Sequence, residues 1–591
     1  YRRFFDVDTL VAVRVELDHV FDATHALLLR LHHRGVIDGF RIDHPDGLAD
    51  PQGYLARLRD ATDGAWVVVE KILEGDEALP AEWATAGTTG YDAIRALSDA
   101  LVPPVGAALD ELWRKTGAEA SLATTELEAK RHVLDVLLKP ELRRLVRRAA
   151  SAAAEAGHVV RDADLEAALT EMLVRVRTYR AYIRLDEPPR DDAVNAIEEM
   201  RAGAQRARPD LARPLAVLRD LLLDSTTSSE AGRDLVVRFQ QVCGPVMAKG
   251  VEDTTFYRFN RLIALNEVGG DPGALERPDD RALHAWAERQ SLTTPTGMTT
   301  LSTHDTKRGE DVRAALLAAA EDLDGWRSLW TLVRKAAAEL SVDEPTAYLV
   351  MQTLVGTWPI TVDRLGDYLE KAVREAKQHT AWTDGDEEYE RQVLELAARC
   401  LAEGEIATAA GAWVTQLQPA IRGVTLTSKL LQLMLPGVPD VYQGCETVER
   451  SLVDPDNRRP VDYAERLRRL ERLDSGATRR DLDDDKLWVT STALRLRRQR
   501  PEQFGAAATY RRLPTTSRHA IGFVRSEQIA VLGTRWPAAQ SRSGWAGATV
   551  SLPDGAWTDL LTGSGVVGGG AAACEGLFAE LPVALLVREA E

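Results

Sequence analysis

Two acidic residues, each at the end of a mainly apolar segment, have the types and spacing that chemistry on a sugar bond requires. Asp43 ends VIDGFRID (36–43), and Glu70 ends AWVVVE (65–70). Two carboxyl groups about 5–5.5 Å apart can break a glycosidic bond with retention, one as nucleophile and the other as acid. Arg41 and Asp43 form an R-x-D pair that faces one side of a strand, where a charge-assisted bond would keep Asp43 ionised. We expect the apolar residues before Glu70 to raise its pKa toward a proton-donating role.

The sequence around these acids predicts a strand–helix–strand unit. Residues 17–34 have the pattern of an amphipathic helix, and PQGYLARLRDATDG (51–64) begins with proline and ends with glycine, as helices often do. The spacing of the acids is close to the ~30-residue repeat of parallel strands joined by a helix. Both would therefore lie at the carboxyl ends of neighbouring strands, which in a (β/α)8 barrel is the edge that carries the active site. A doubly wound sheet would place them similarly, and R-x-D alone also fits a structural salt bridge.

The remaining sequence predicts helical insertions and a separate C-terminal β-domain. From about 105 to 240, and again from about 310 to 420, apolar residues recur with helical periodicity. Between these stretches, MTTLSTHDT (298–306) predicts a strand that ends in a polar cluster with His304 and Asp305. An isolated His-Asp pair is usually only a loop hydrogen bond. After about 490, short apolar segments alternate with turns, as in an antiparallel β-domain.

Composition narrows the class of protein. Hydrophobic residues make up 45% and charged residues 28% of the chain, values typical of globular proteins. A formal charge of −18 argues against a general binder of nucleic acid or acidic membranes, since both need a cationic face. No apolar run reaches the ~18–20 residues of a membrane span, and the first segment lacks the apolar stretch of a signal peptide. The 4 cysteines have no zinc spacing, so we expect no metal site, no disulfide and a cytoplasmic location.

The order of three motifs resembles glycoside hydrolase family 13, the α-amylase family. GFRIDH, VVVEKIL and LSTHDTKRG correspond to its fourth-, fifth- and seventh-strand motifs, and PGVPDVYQG resembles the eighth. The resemblance implies Asp43 as nucleophile, Glu70 as general acid/base and Asp305 as the aspartate that stabilises the transition state. It implies Arg41 and His304 as their supporting neighbours.

Further segments resemble one branch of that family, the maltooligosyl trehalose synthases. They are YRRFFDV, RIDHPDGLADP, VEKILEGDEALP, GTTGYD, AKGVEDTTFYRFNRLIALNEVGG and LVDPDNRRPVDY. The branch implies an isomerase that acts on maltooligosaccharides without a cofactor. By intramolecular transglucosylation it would convert the reducing-end α-1,4 bond into the α,α-1,1 bond of a terminal trehalose. Its metabolic partner would be a maltooligosyl trehalose trehalohydrolase.

The same resemblance implies substrate contacts beyond the three carboxylates. They are His44, Tyr91, Lys249, Glu252, Asp253 and Tyr257. All except His44 could clamp the released glucose in a site that excludes water. For the charged members, a buried salt-bridge network that anchors the helical insertion is an equally good interpretation.

The implied fold is α/β: an incomplete (β/α)8 TIM barrel, strands 4–8, with large helical insertions and a C-terminal antiparallel β-domain. The expected domains are strands 4–6 at 1–104, a helical insertion at 105–295, strands 7–8 with a second insertion at 296–485, and a β-sandwich at 486–591. Strands 1–3 would have to precede VIDGFRID, so we expect the chain alone to be unstable or inactive. An amylase-like hydrolase and a non-catalytic glucan-binding remnant are the alternative interpretations.

Overall fold

The computed structural model describes residues 3–5, 7–119 and 121–589, so Tyr1, Arg2 and Asp6 of the YRRFFDV motif lie outside the described residues. The strands are β1 (Arg3–Phe4), β2 (Val7–Val11), β3 (Gly39–Ile42), β4 (Trp66–Val69), β5 (Gly87–Thr88), β6 (Met298–Thr299), β7 (Val438–Pro439), β8 (Tyr510–Arg512), β9 (Ala520–Arg525), β10 (Ile529–Thr534), β11 (Thr549–Ser551), β12 (Ala556–Asp559), β13 (Gly565–Val567), β14 (Ala571–Ala573) and β15 (Val583–Arg588).

The α-helices are α1 (Asp18–His33), α2 (Pro51–Ala61), α3 (Tyr91–Leu101), α4 (Gly106–Lys115), α5 (Leu122–Val136), α6 (Lys139–Glu155), α7 (Asp162–Leu173), α8 (Asp191–Ala207), α9 (Ala212–Leu223), α10 (Glu230–Met247), α11 (Phe256–Arg258), α12 (Arg281–Thr293), α13 (Glu310–Ala320), α14 (Leu323–Glu339), α15 (Glu344–Thr357), α16 (Val362–Ala376), α17 (Glu387–Leu401), α18 (Glu405–Met434), α19 (Tyr463–Asp474), α20 (Leu482–Gln499), α21 (Pro537–Ser543) and α22 (Cys574–Leu577). The contacts divide the chain into two compact units. The first lies within Tyr1–Thr85 and Ser121–Phe259, and the second within Ala86–Ala120 and Asn260–Glu591.

A parallel strand pair, β3 and β4, organises the start of the first unit. The two strands pair along their full length, and α2 connects them. The helix begins at Pro51 because Asp50 accepts the amide of Gly53 at 3.0 Å, and proline has no amide hydrogen to leave unpaired there. The structure thus contains the predicted strand–helix–strand unit, with shorter strands than the sequence suggests. The core around it consists of Phe21, Phe40, Leu55, Leu58, Val67, Val69 and Trp83.

The first unit also contains the antiparallel pair β1–β2, and from Leu122 onwards it is mainly helical, as the periodicity predicts. Helix α10 packs against α6 and α9 and continues into a π-helix at Ala248–Thr255, which packs against α5. At Gly250 a Cβ atom would come within 2.6 Å of Lys130 Cγ, so glycine permits this close approach. Lys130 is buried and donates to the carbonyl oxygen of Val176 at 2.9 Å.

Helix α18 is the central element of the second unit. It runs for 30 residues and packs against α13, α20 and β10. Strands β6 and β7 pair in parallel. The side-chain Nε2 of Gln432, on α18, donates to the carbonyl oxygen of Thr299 at 2.9 Å and so connects β6 to this helix.

The second unit ends in an antiparallel sheet with strand order β13-β12-β15-β10-β9-β8, and β11 pairs separately with β14. Leu426 of α18 and Val531 of β10 belong to one core, whereas Trp557 and Val550 belong to another. The predicted mixed α/β class, rich in helix and with a C-terminal antiparallel β-domain, is therefore confirmed. Among the described residues, no helix is both long and apolar enough to cross a lipid bilayer.

Candidate active site

Asp43 and Glu70 lie side by side at the carboxyl ends of β3 and β4. The amide of Glu70 donates to the carbonyl oxygen of Ile42 at 2.8 Å, which extends the strand pairing to the acids themselves. One carboxylate oxygen of Asp43 lies within 4.8 Å of one of Glu70. This distance is close to the ~5–5.5 Å of retaining glycosidases and shorter than the ~6.5–9.5 Å of inverting ones.

The two carboxyl groups have different surroundings. Asp43 is exposed, with 56% of its side chain accessible, and its Oδ1 lies 2.6 Å from Nη1 of Arg41. Glu70 is buried, with 7% exposed. The predicted contact between Arg41 and Asp43 is therefore present, and the apolar strand does bury Glu70. The proton-donating pKa expected for Glu70 stays a prediction.

His44 lies between the two carboxyl groups. Its backbone is left-handed, with φ of 45°, at the start of the 3-10 helix Pro45–Gly47. Its Nε2 lies 3.9 Å from Asp43, its Nδ1 lies 3.6 Å from Glu70, and its amide donates to Glu70 at 3.2 Å. Asp43, His44 and Glu70 could together offer three ligand atoms to a metal ion. Arg41 already supplies a cation to Asp43, which makes a second cation there unfavourable.

The residue after Glu70, Lys71, is buried and paired with two acids. Its ammonium nitrogen donates to Glu77 at 3.0 Å and lies 3.4 Å from Asp46. Burial alone would lower the pKa of Lys71, but the charges of Asp46 and Glu77 outweigh burial and raise it. Tyr182 donates to Asp46 at 2.6 Å. This network fixes the backbone next to Glu70, and nothing in the local sequence pattern predicts it.

A cavity of about 930 Å³ opens beside Asp43 and His44. Phe4 and Phe5 line it, with ring centres 5.0 and 5.1 Å from the imidazole of His44. Both phenylalanines belong to the YRRFFDV motif, but the sequence alone does not single them out as site residues. Aromatic walls with a few polar groups are typical of small-molecule sites.

The predicted contact residues of the helical insertion lie in or next to the π-helix. Lys249 Nζ lies 3.1 Å from a carboxylate oxygen of Asp253 and 5.9 Å from the ring centre of Phe5. This ion pair is compatible with the alternative interpretation, in which the charged residues form a salt-bridge network that anchors the helical insertion. The contact with Phe5, a cavity residue, places Lys249 close to the candidate site.

Glu252 accepts a hydrogen bond from a neighbouring tyrosine, and Tyr257 is buried. The hydroxyl of Tyr179, which lines the cavity, donates to Glu252. Burial raises the pKa of Tyr179 well above its ordinary value, and the charge of Glu252 adds to the effect. Tyr257 is buried on α11. The structure describes both residues as parts of the scaffold, and their contact with substrate stays a prediction.

In the second unit, His304 and Asp305 follow β6 in a loop. His304 Nε2 lies 2.9 Å from Asp305 Oδ2, and both side chains are exposed. Asn457, from the LVDPDNRRPVDY segment, donates to the carbonyl oxygen of His304 at 2.9 Å. The hydroxyl of Tyr91 is hydrogen-bonded to Thr303 Oγ1 at 2.9 Å, and Tyr91 is 1% exposed. Tyr91 therefore supports the loop, whereas its predicted contact with substrate is untested.

Similarity to known proteins identifies the family. No family model matches the chain. Two Mycobacterium tuberculosis proteins, from strains CDC 1551 / Oshkosh and ATCC 25618 / H37Rv, are assigned as maltooligosyl trehalose synthases. Each is 40% identical over 613 aligned positions, which cover 100% of this chain and 74% of the relative.

Solved structures give the same result. The maltooligosyltrehalose synthase of Arthrobacter ramosus matches with a TM-score of 0.91 at 40% identity, over 100% of this chain and 75% of the other. A hypothetical maltooligosyl trehalose synthase of Sulfolobus tokodaii matches with a TM-score of 0.79 at 28% identity, over 100% and 74%. The chain belongs to the maltooligosyl trehalose synthase family.

Proposed function

We propose that this chain carries the catalytic carboxyl pair of a retaining glucan isomerase that forms trehalose ends on maltooligosaccharides. The observation that carries the proposal is the close approach of Asp43 and Glu70, within 4.8 Å, at the ends of adjacent parallel strands. A retaining double displacement needs two carboxyl groups about 5–5.5 Å apart, and the separation of this pair is close to that distance. Relatives named for this synthase activity supply the substrate class.

The reaction would proceed in two displacements at one anomeric carbon. Asp43 attacks the anomeric carbon of the second-last glucose while Glu70 protonates the oxygen that leaves with the last glucose. The freed glucose turns within the site. Glu70 then removes the proton from the anomeric hydroxyl of the freed glucose. That oxygen attacks the anomeric carbon of the glycosyl-enzyme and breaks its bond to Asp43. The product has an α,α-1,1 bond in place of the original α-1,4 bond, so no atoms are gained or lost.

Arg41, His44 and Asp305 would support this chemistry. Arg41 at 2.6 Å orients the nucleophile Asp43, and the backbone amide of His44 orients Glu70. The role of Asp305, which is to bind sugar hydroxyls more strongly in the transition state, rests on its family motif. The (β/α)8 barrel is proposed on the family motifs, and the parallel pairing within β3–β4 and within β6–β7 is the pairing that such a barrel requires.

Exclusion of water would decide between transfer and hydrolysis. The aromatic wall of Phe4 and Phe5 and the ammonium group of Lys249 are the groups suited to hold a released glucose. Glu252, Asp253 and Tyr257 would hold these elements in place or contact the sugar directly, and Tyr91 is proposed as a further sugar contact. An open site would give water the advantage and make the enzyme a hydrolase.

Product analysis after incubation with maltopentaose tests the proposal. Loss of reducing ends without shortening of the sugar, with an α,α-1,1 signal in the NMR spectrum, supports the synthase; Asp43→Asn is the matched control. Shorter sugars would indicate the amylase-like hydrolase, and binding without turnover the non-catalytic remnant. The assay is run on this chain alone and again with the part of the Arthrobacter relative that this chain does not cover added.

The proposed cellular setting follows from the same chemistry. An enzyme that makes a terminal trehalose unit does not release trehalose, so a second enzyme that is a hydrolase, a maltooligosyl trehalose trehalohydrolase, is required for that step. The cysteines Cys243, Cys400, Cys445 and Cys574 are all free and buried, which suits a reducing cytoplasm. Adding such a trehalohydrolase to the maltopentaose assay should release trehalose.

A further inference from the structure

The second unit has a long surface groove beside the middle of α18. One part has a volume of about 940 Å³ and an adjoining part about 790 Å³. Pro419, Arg422 and Glu580 line both parts, so the two are continuous. We call this feature the α18 groove. None of the residues that line the α18 groove takes part in the proposed catalytic mechanism.

Two stacked aromatic side chains form part of the groove wall. The rings of Trp545 and Phe578 lie 4.9 Å apart between centres at an angle of 21°, and both are half-buried. Within the described part of the chain, the indole N–H of Trp545 donates no hydrogen bond. The pair is therefore an apolar platform with a donor at its edge. Aromatic platforms of this kind pack against flat ligands with little loss of conformational entropy.

Polar side chains with spare hydrogen-bonding capacity line the same groove. The side chains of Gln416, Gln540 and Arg542 make no hydrogen bond to any residue that the structure describes. Acidic and basic groups alternate, as in Asp324 and Arg327, which lie 3.6 Å apart. A wall of mixed charge suits a neutral polar ligand better than a polyanion or a polycation.

We propose that the α18 groove binds a linear α-1,4-glucan segment. Each glucose ring has an apolar C–H face, which fits the Trp545–Phe578 platform, and hydroxyl groups at its edge, which fit the amides and the guanidinium. The inference rests on the proposed function, because an enzyme that acts at one end of a glucan leaves the rest of the chain available for a second contact. The groove would hold that remainder and raise the affinity for long substrates over short ones.

Affinity electrophoresis in gels containing soluble starch tests the groove, and titration with maltotetraose measures the short-substrate affinity. Trp545→Ala should weaken starch binding roughly five- to ten-fold and leave maltotetraose binding unchanged. Trp382→Ala is the matched control, because Trp382 is 56% exposed and lies outside the groove. Since Trp545 also packs on the β-domain core, the variant Gln416→Ala/Arg542→Ala repeats the test with two exposed side chains, and its thermal unfolding is measured alongside.

The outcomes separate the groove from the catalytic proposal. Starch retention that is unchanged in the folded Trp545→Ala protein and in the surface variant would overturn the groove, as would a wild-type chain that starch does not retain. Starch retention that the variants lose, in a chain that forms no α,α-1,1 product, would support the groove and count against the proposed function alone.

Discussion

The carboxylate of Glu267 accepts the main-chain amide of Lys307 at 2.6 Å, and its second oxygen accepts that of Arg308 at 3.0 Å. The guanidinium of Arg313 lies 3.1 Å from the same carboxylate, and both side chains are buried. One acid of the ALNEVGG segment thus anchors the end of the loop that carries Asp305. The ALNEVGG segment, which carries part of the family resemblance, therefore also fixes the position of the loop that contains Asp305.

Replacing Glu267 should destabilise the protein strongly. Glu267→Gln removes the counter-charge of the buried Arg313, so we expect the free energy of unfolding to fall by roughly 3–5 kcal/mol. Urea unfolding measures the loss. Glu288→Gln, on an exposed face of α12, is the control and should change it by less than about 0.5 kcal/mol. Equal stability of the two variants would show that the carboxylate is not needed.

A methyl group at Gly250 should disturb the π-helix that carries Lys249. The added Cβ of Gly250→Ala would lie 2.6 Å from Lys130 Cγ, so we expect a loss of roughly 1–3 kcal/mol in the free energy of unfolding. Gly244→Ala, in α10, meets its nearest atom at 3.7 Å and should be neutral or slightly stabilising. Thermal unfolding of both variants measures the change in stability. If Gly250→Ala is as stable as the wild type, the side chain of Lys130 moves away and the prediction is wrong.

Glu321 should make stability fall as the pH rises. Burial raises the pKa of Glu321 from 4.5 to about 7, despite the Ala539 amide at 2.8 Å and the charge of Arg542. Because the folded state binds the proton more tightly, this contribution is present below about pH 4.5 and is lost as the pH rises through about 7. A shift of this size corresponds to roughly 3 kcal/mol.

Glu321→Gln should therefore unfold at a higher temperature than the wild type at pH 8 and at about the same temperature at pH 4.5. The amide oxygen of glutamine can still accept from Ala539, so the change mainly removes the ionisable proton. Glu403→Gln, at an exposed position, provides the comparison. If the difference between wild type and Glu321→Gln does not change with pH, the pKa of Glu321 is the same in the folded and unfolded states, which would contradict the prediction.

Local patterns were sufficient to predict the elements that carry the acids. The apolar runs before Asp43 and Glu70, with Pro51 at the start of the helix between them, gave a strand–helix–strand unit that the structure contains. The contact between Arg41 and Asp43 was also predictable, because R-x-D places both side chains on one side of a strand. The turn-punctuated apolar segments after about 490 correctly predicted the antiparallel sheet.

Features that depend on long-range packing were not predictable from the sequence. The π-helix at Ala248–Thr255 forms where Gly250 meets Lys130 of another helix, and no local pattern encodes that approach. The pairing of Lys71 with Asp46 and Glu77 likewise requires the folded chain. The hydrogen bond between Tyr91 and Thr303 also joins distant parts of the chain and was not predicted, whereas the predicted contact of Tyr91 with substrate stays a prediction.

The central claim is that Asp43 is the nucleophile and Glu70 the general acid/base, and a substrate with a self-sufficient leaving group separates these roles most directly. Fluoride departs without protonation, so on the form of the enzyme that converts maltopentaose, Glu70→Gln should still release fluoride from an α-maltooligosyl fluoride. The same variant should lose roughly 10²–10⁴-fold in rate on maltopentaose. Asp43→Asn should lose both reactions. Fluoride release by Asp43→Asn at the wild-type rate, or its complete absence in a folded Glu70→Gln, would contradict the assignment.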